Sequence, residues 1–411
     1  FCLKFLFYYS YSVLLDRTLK KKLNIYIFIS LLASLSPLTQ HTILPSVVNI
    51  QKHFSLQYKD IIYIFSISTF AMAIMHLVYG YLSDNFGRKK IILFALIVYI
   101  SSSLLILFFD HSYFLLLFFR FIQSAGACVG IVLSIAIIKD ITPEKDTYKI
   151  IAFVISANMT IPIFSPIIGG VLNEYFGWQS IHLFLIISSI PLIFYSWFKL
   201  DETNKYINQG QSQIKRKFFE LLYKKNFYIL LLFSLIGIFT SFTFIAISPF
   251  LIITLKGYNS IDLGFMSFFV SLGFIIGSLL SGFFKFKAIL MIKIGTVICF
   301  LNYFFLFIYL FYINDFEILI LYFFISLATL GKGLIIPSVS GLIVNFNKRI
   351  SGTSLGFVSF IKLLFASLSI LLIGKIIEDY FLFIFFLYLI LYIFSLILII
   401  FLDKDKLAYT I

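Results

Sequence analysis

About twelve times between residues 23 and 401 the sequence runs apolar for some twenty residues before charges or turn residues interrupt it. A run of about 20 residues at 1.5 Å per residue matches the roughly 30 Å hydrocarbon core of a bilayer. The runs are continuous rather than alternating, which points to helices and away from a barrel. Composition agrees, since 61% of residues are hydrophobic, 20% are aromatic and the mean hydropathy is +1.05, values that a water-soluble globule would carry only by exposing a vast apolar surface. The predicted spans lie at about 23–48, 60–82, 91–109, 113–138, 149–173, 180–199, 227–252, 262–284, 288–312, 316–343, 353–375 and 381–401.

The long polar stretch DETNKYINQGQSQIKRKFFELLYKKN separates the sixth span from the seventh. The chain therefore divides into a segment 1–22, a six-helix bundle 23–199, a linker 200–226, a second six-helix bundle 227–401 and a tail 402–411. Halves of nearly equal length imply a duplicated unit, and Pro45 and Pro249 fall at the same register near the ends of the first and seventh spans. In 1–22 the apolar stretch Phe5 to Leu15 is too short to cross and shows no small-residue cleavage site, so it reads as a cytoplasmic or interfacial segment.

Most of the 32 Lys and Arg residues fall on one side if both termini are cytoplasmic, and only Lys52, Lys59, Lys256 and Lys375 fall in outer loops. The net charge of +14 is thus mainly a topology signal, and a nucleic-acid partner is not expected because no soluble basic module exists to bear it. The expected setting is the inner cell membrane, with the lipid bilayer as partner and a monomer as the working unit. Cys2, Cys128 and Cys299 show no metal or redox spacing. No G-x-x-x-x-G-K-[ST] loop and no H-E-x-x-H pair is present, and no cofactor is expected.

The loop GYLSDNFGRKK follows the second span. Two glycines are expected to let the chain turn tightly, Asp84 to accept from free N–H groups at a neighbouring helix start, and Arg88 to Lys90 to hold the loop inside. The fourth span carries RFIQSAG, with Arg120 and Gln123 on one helix face; an arginine inside a span is costly unless it meets a wet cavity or a partner. The fifth carries IPIFSPIIGG, in which Pro162 and Pro166 each remove a backbone donor while Gly169 and Gly170 permit close packing.

These stretches, with NEYFGWQSIHLF, SPFLIITLKGYNS, GLIIPSVSGL and SGTSLG, resemble the major facilitator superfamily, in particular its bicyclomycin- and chloramphenicol-resistance-type drug:proton antiporters. The resemblance implies an all-α integral membrane fold of twelve transmembrane helices in two pseudo-symmetric six-helix bundles. It implies that Gly80, Asp84, Gly87, Arg88 and Lys89 form a cytoplasmic latch between the halves. It likens the Pro162, Pro166, Gly169 and Gly170 segment to an antiporter motif, with Ser165 where glycine is usual. The implied activity is secondary active efflux of small amphipathic compounds, with protons as the coupling ion.

Coupling in such a cavity ordinarily falls to an embedded carboxylate. All 18 acidic residues can be placed in loops or at helix ends, and the resembled D-x-x-L-P pattern reads HTILP here, so His41 stands where an aspartate is expected. Histidine titrates near neutrality, which makes His41 the proton-coupling candidate, beside the plainer reading of a helix-end histidine bonded to backbone or water. His76 and His182 read as interfacial packing. Arg120, Gln123, Lys332 and Lys362 are the substrate-cavity candidates, although Lys332 is placed to snorkel toward its helix end. If they line one cavity, its positive charge favours an anionic or zwitterionic substrate, and an organic-anion or metabolite transporter is the alternative to drug efflux. An intramembrane enzyme is the remaining alternative, disfavoured by acids lying only at the surface.

Overall fold

A computed structural model describes residues 17–142, 144–204, 225–283, 288–313, 315–345 and 351–402. The expected arm 1–22, most of the linker and the tail therefore fall largely or wholly outside the described residues.

The chain is all-α. We number the long helices α1 (Arg17–Thr42), α2 (Tyr63–Phe86), α3 (Arg88–Phe108), α4 (Tyr113–Ala127 resuming as Val129–Ile141), α5 (Glu144–Phe176), α6 (Gln179–Phe198), α7 (Lys225–Pro249), α8 (Ser260–Phe283), α9 (Ala288–Tyr312), α10 (Ile318–Asn345), α11 (Ser351–Gly374) and α12 (Ile377–Phe401). Among the described residues, 11 helical stretches are long and apolar enough to cross a bilayer, and α5 runs for 33 residues beside them. Large side chains such as Phe94, Phe114, Ile187, Phe311 and Ile400 are exposed, as a lipid-facing surface requires.

Proline explains how the two bundle-leading helices end. After α1 the chain tightens into a 3₁₀ turn, Leu44–Ser46, around Pro45, and resumes as Val47–His53. After α7 it widens instead into a π-helical stretch, Phe250–Leu255, behind Pro249. Proline 249 cannot donate to the carbonyl of Ile245, and the Ser248 hydroxyl takes that acceptor at 2.9 Å. Six residues ahead of each proline stands a threonine that bonds its own helix and a tyrosine from a packed neighbour. Thr39 donates to Leu35 O at 2.7 Å and meets the Tyr99 hydroxyl at 2.8 Å; Thr243 donates to Phe239 O at 2.5 Å and meets the Tyr388 hydroxyl at 2.7 Å.

Helices pack tightly where glycine removes a side chain. A Cβ at Gly130 on α4 would collide with the Leu32 carbonyl of α1, and one at Gly277 on α8 with the Leu330 carbonyl of α10. Two apolar cores result. One is built almost wholly from α1 to α6, with Leu363 of α11 as the visitor. The other joins α7 to α12 to Ile43, Val47, Tyr58, Ile61 and Trp178 of the first half. The two halves thus share one continuous core at the end of the molecule away from the turn at Gly87.

Candidate functional site: the seam between halves, the turn at Gly87 and the buried cations

Two helix pairs make the seam, α5 against α8 and α2 against α11. In the first, Pro166 has no N–H for the carbonyl of Pro162, and Ser271 of α8 donates to that carbonyl at 3.2 Å. A Cβ at Gly170 would meet the Ser260 carbonyl at 2.6 Å, and one at Gly264 the Pro166 carbonyl at 2.7 Å. Gly169 turns the other way and faces the Thr42 carbonyl of α1. Asn173 completes this pair with a 2.8 Å bond to Ser260. In the second pair, Ser66 and Ser367 each donate to the other's backbone carbonyl, at 3.0 and 2.9 Å. Beyond them, toward the far end, the backbone N–H of Tyr58 donates to Glu378 at 3.0 Å, and the Tyr58 hydroxyl donates to Ala246 O at 2.7 Å.

At the opposite end α2 passes into α3 through Gly87, whose φ of +93° favours glycine. Gly80 differs from expectation. It lies inside α2 with open space beside it, so only one of the two glycines makes the turn. The capping role expected of Asp84 belongs to Glu202, whose carboxylate accepts from the N–H groups of Arg88 at 2.9 Å and Lys89 at 3.1 Å. Asp84 instead takes the Arg88 guanidinium at 2.6 Å, Ser83 takes it at 2.6 Å, and Asp140 of α4 accepts from Nε at 3.3 Å. Thr203 donates to the same Asp140 oxygen at 3.1 Å, and Asn204 to the Asp84 carbonyl at 3.1 Å. The start of the linker is therefore sewn onto the turn at Gly87. Nothing in the spacing of DETN announced this, because the partners come from three separate segments.

The buried cations occupy separate places. Arg120 is fully buried and donates to Gln123 Oε1 at 2.7 Å. Gln123 donates in turn to Ser103 of α3 at 2.7 Å and to His182 Nδ1 of α6 at 3.3 Å. His182, expected in interfacial packing, is 0% exposed in this cluster, because the polar atoms of Gln123 need a second acceptor away from lipid. Lys332 does not snorkel. It is 1% exposed, 3.3 Å from the Ser241 hydroxyl and 5.6 Å above the Tyr303 ring. Lys362 is half-buried on α11, the helix packed against α2, which carries His76. His41 is half-buried at the last turn of α1. Arg120 and Gln123 are brought together, Lys362 and His76 lie on facing helices, and Lys332 stands apart in the second half. Among the described residues no cluster of His, Cys, Asp and Glu is arranged to hold a metal ion.

The description of the Major Facilitator Superfamily matches residues 29–369. The chain belongs to that family. Among curated relatives, it is 30% identical over 218 residues to an uncharacterized transporter of Rickettsia felis, covering 52% of each chain. It is 28% identical over 196 residues to the multidrug resistance protein MdtL of Shewanella sp. (47% and 49%), and 29% identical over 184 residues to a bicyclomycin resistance protein homolog of Haemophilus influenzae (44% and 45%). Each match thus spans about half the length of the relative. Among solved structures, a D-xylose-proton symporter superposes with a TM-score of 0.74 at 14% identity, covering 92% of this chain and 97% of that one, which establishes the major facilitator fold.

Proposed function

We propose that this chain is a proton-coupled, alternating-access exporter of small amphipathic compounds, working as a monomer in the inner membrane with both termini cytoplasmic. The single observation that carries this reading is the seam, in which Pro162, Pro166, Gly170 and Asn173 of α5 pack onto Ser271, Gly264 and Ser260 of α8. Such a seam is what a rocking mechanism opens and closes, with 23–199 and 227–401 as the moving units and 200–226 as their tether. The drug-resistance names of the MdtL and bicyclomycin-type relatives support the cargo class.

The test is transport in proteoliposomes with an imposed proton gradient. Saturable, gradient-driven accumulation of a hydrophobic dye or antibiotic is expected; current without saturation, or turnover without vectorial movement, overturns the reading. Under it His41 carries the proton, so His41→Gln should abolish accumulation and leave exchange intact. Unchanged concentrative transport by that variant would assign the proton elsewhere.

A second reading has one observation in its favour. Lys362 and His76 put two basic side chains on facing helices of the seam, which suits an anionic or metabolite substrate carried in either direction. Lys362→Gln should then weaken transport of an organic anion about tenfold while sparing a cation; equal losses refute it.

A further inference from the structure

We propose that the interior of the first half holds a small monovalent anion of the chloride class, bound by the guanidinium of Arg120. This goes beyond transport: the ion is a resident counter-ion of α3, α4 and α6, away from the seam and not the cargo. Arg120 is 0% exposed, and its one hydrogen-bond partner among the described residues is a neutral amide. Its Nε and Nη2 are buried without any hydrogen-bond partner among the described residues. The orientation of Gln123 is set by its other bonds, since its oxygen takes Arg120 and its nitrogen serves both Ser103 and His182 Nδ1. His182 accepts at Nδ1 and so carries its proton on Nε2, and that donor too is buried and unpartnered. Ser103 spends its own hydroxyl proton on Tyr99 O at 2.7 Å. The Tyr99 hydroxyl is committed to Thr39, which directs its own proton to Leu35 O. The cluster therefore offers donors in excess and a full positive charge, with no carboxylate paired to it among the described residues.

A water molecule could satisfy the donors but would leave the charge uncompensated in a low-dielectric interior, where an unpaired ion is strongly destabilising. A halide satisfies both needs: it accepts several N–H groups and neutralises the guanidinium.

The experiment uses the purified full chain in nanodiscs, with sodium chloride replacing sodium gluconate at constant ionic strength. The thermal midpoint should rise saturably by about 3 °C in chloride. The rise should vanish in Arg120→Gln and persist in Lys362→Gln. A midpoint indifferent to chloride in the unaltered chain means the cluster holds only water and overturns the proposal, as does the same rise in Arg120→Gln. Should Arg120→Gln fail to fold, bromide exchanged into crystals of the unaltered chain decides the matter: anomalous density at the Arg120 guanidinium supports the site, and bromide only elsewhere removes it.

Discussion

In the first half a buried arginine sits among Gln123, Ser103 and His182, whereas in the second a buried lysine has one hydroxyl, Ser241, and the face of Tyr303. Both halves nevertheless place a threonine six residues before the bundle's proline and pair it with a tyrosine. The two halves share this packing device and differ in their polar interiors. The chemistry of the two cations accounts for the form of the divergence. A guanidinium is a planar fork of five donors and needs a directed network, while an ammonium is a compact point charge that a hydroxyl and an aromatic face can hold.

The largest effect should come from cutting the directed network. Gln123→Leu leaves Arg120, Ser103 and His182 short of partners at once and should cost about 3 kcal/mol, read as a fall in the thermal midpoint and in folded yield. A cost as small as a surface change would show that the network does not hold the arginine. In the second half the sign should reverse. Lys332→Met removes a buried charge for an apolar chain of similar length and should be neutral or stabilising by about 1 kcal/mol, unless Lys332 contacts substrate, in which case transport falls while the midpoint holds.

The matched threonines test the common framework. Thr39→Val and Thr243→Val should each lose about 1 kcal/mol and by nearly equal amounts, since each removes one buried tyrosine contact; unequal losses would confine the likeness to geometry. Smallest of all, Glu202→Gln should cost a few tenths of a kcal/mol, because a neutral amide still caps α3 but loses its attraction to the helix dipole. Its readout is faster hydrogen exchange at the Arg88 and Lys89 amides, and unchanged exchange there would detach the linker from the start of α3.

The seam shows why some of the site was legible in sequence and some was not. Pro162, Pro166, Gly169 and Gly170 could be recognised because close helix approach and lost backbone donors demand those residue types wherever they occur. Which helix each one meets could not be read, and Gly169 and Gly170, adjacent in sequence, face α1 and α8 respectively. Gly80 illustrates the converse. It matches a motif position, yet it lies within a helix where no neighbour requires a glycine. Glu202, Ser103 and His182 carried no local signal, since each acts on a group at least 20 residues distant in sequence.

By itself the sequence determined the membrane setting, the all-helical class and the family. These follow from hydropathy, loop charge and local backbone chemistry, all of which act along the chain. Only the tertiary structure decided that Arg120 and His182 share one buried cluster, that Lys332 rests on Tyr303 and that the helices carrying Lys362 and His76 face each other across the seam. A buried polar side chain takes its partners from whichever helices close around it, and that choice is made by packing in three dimensions.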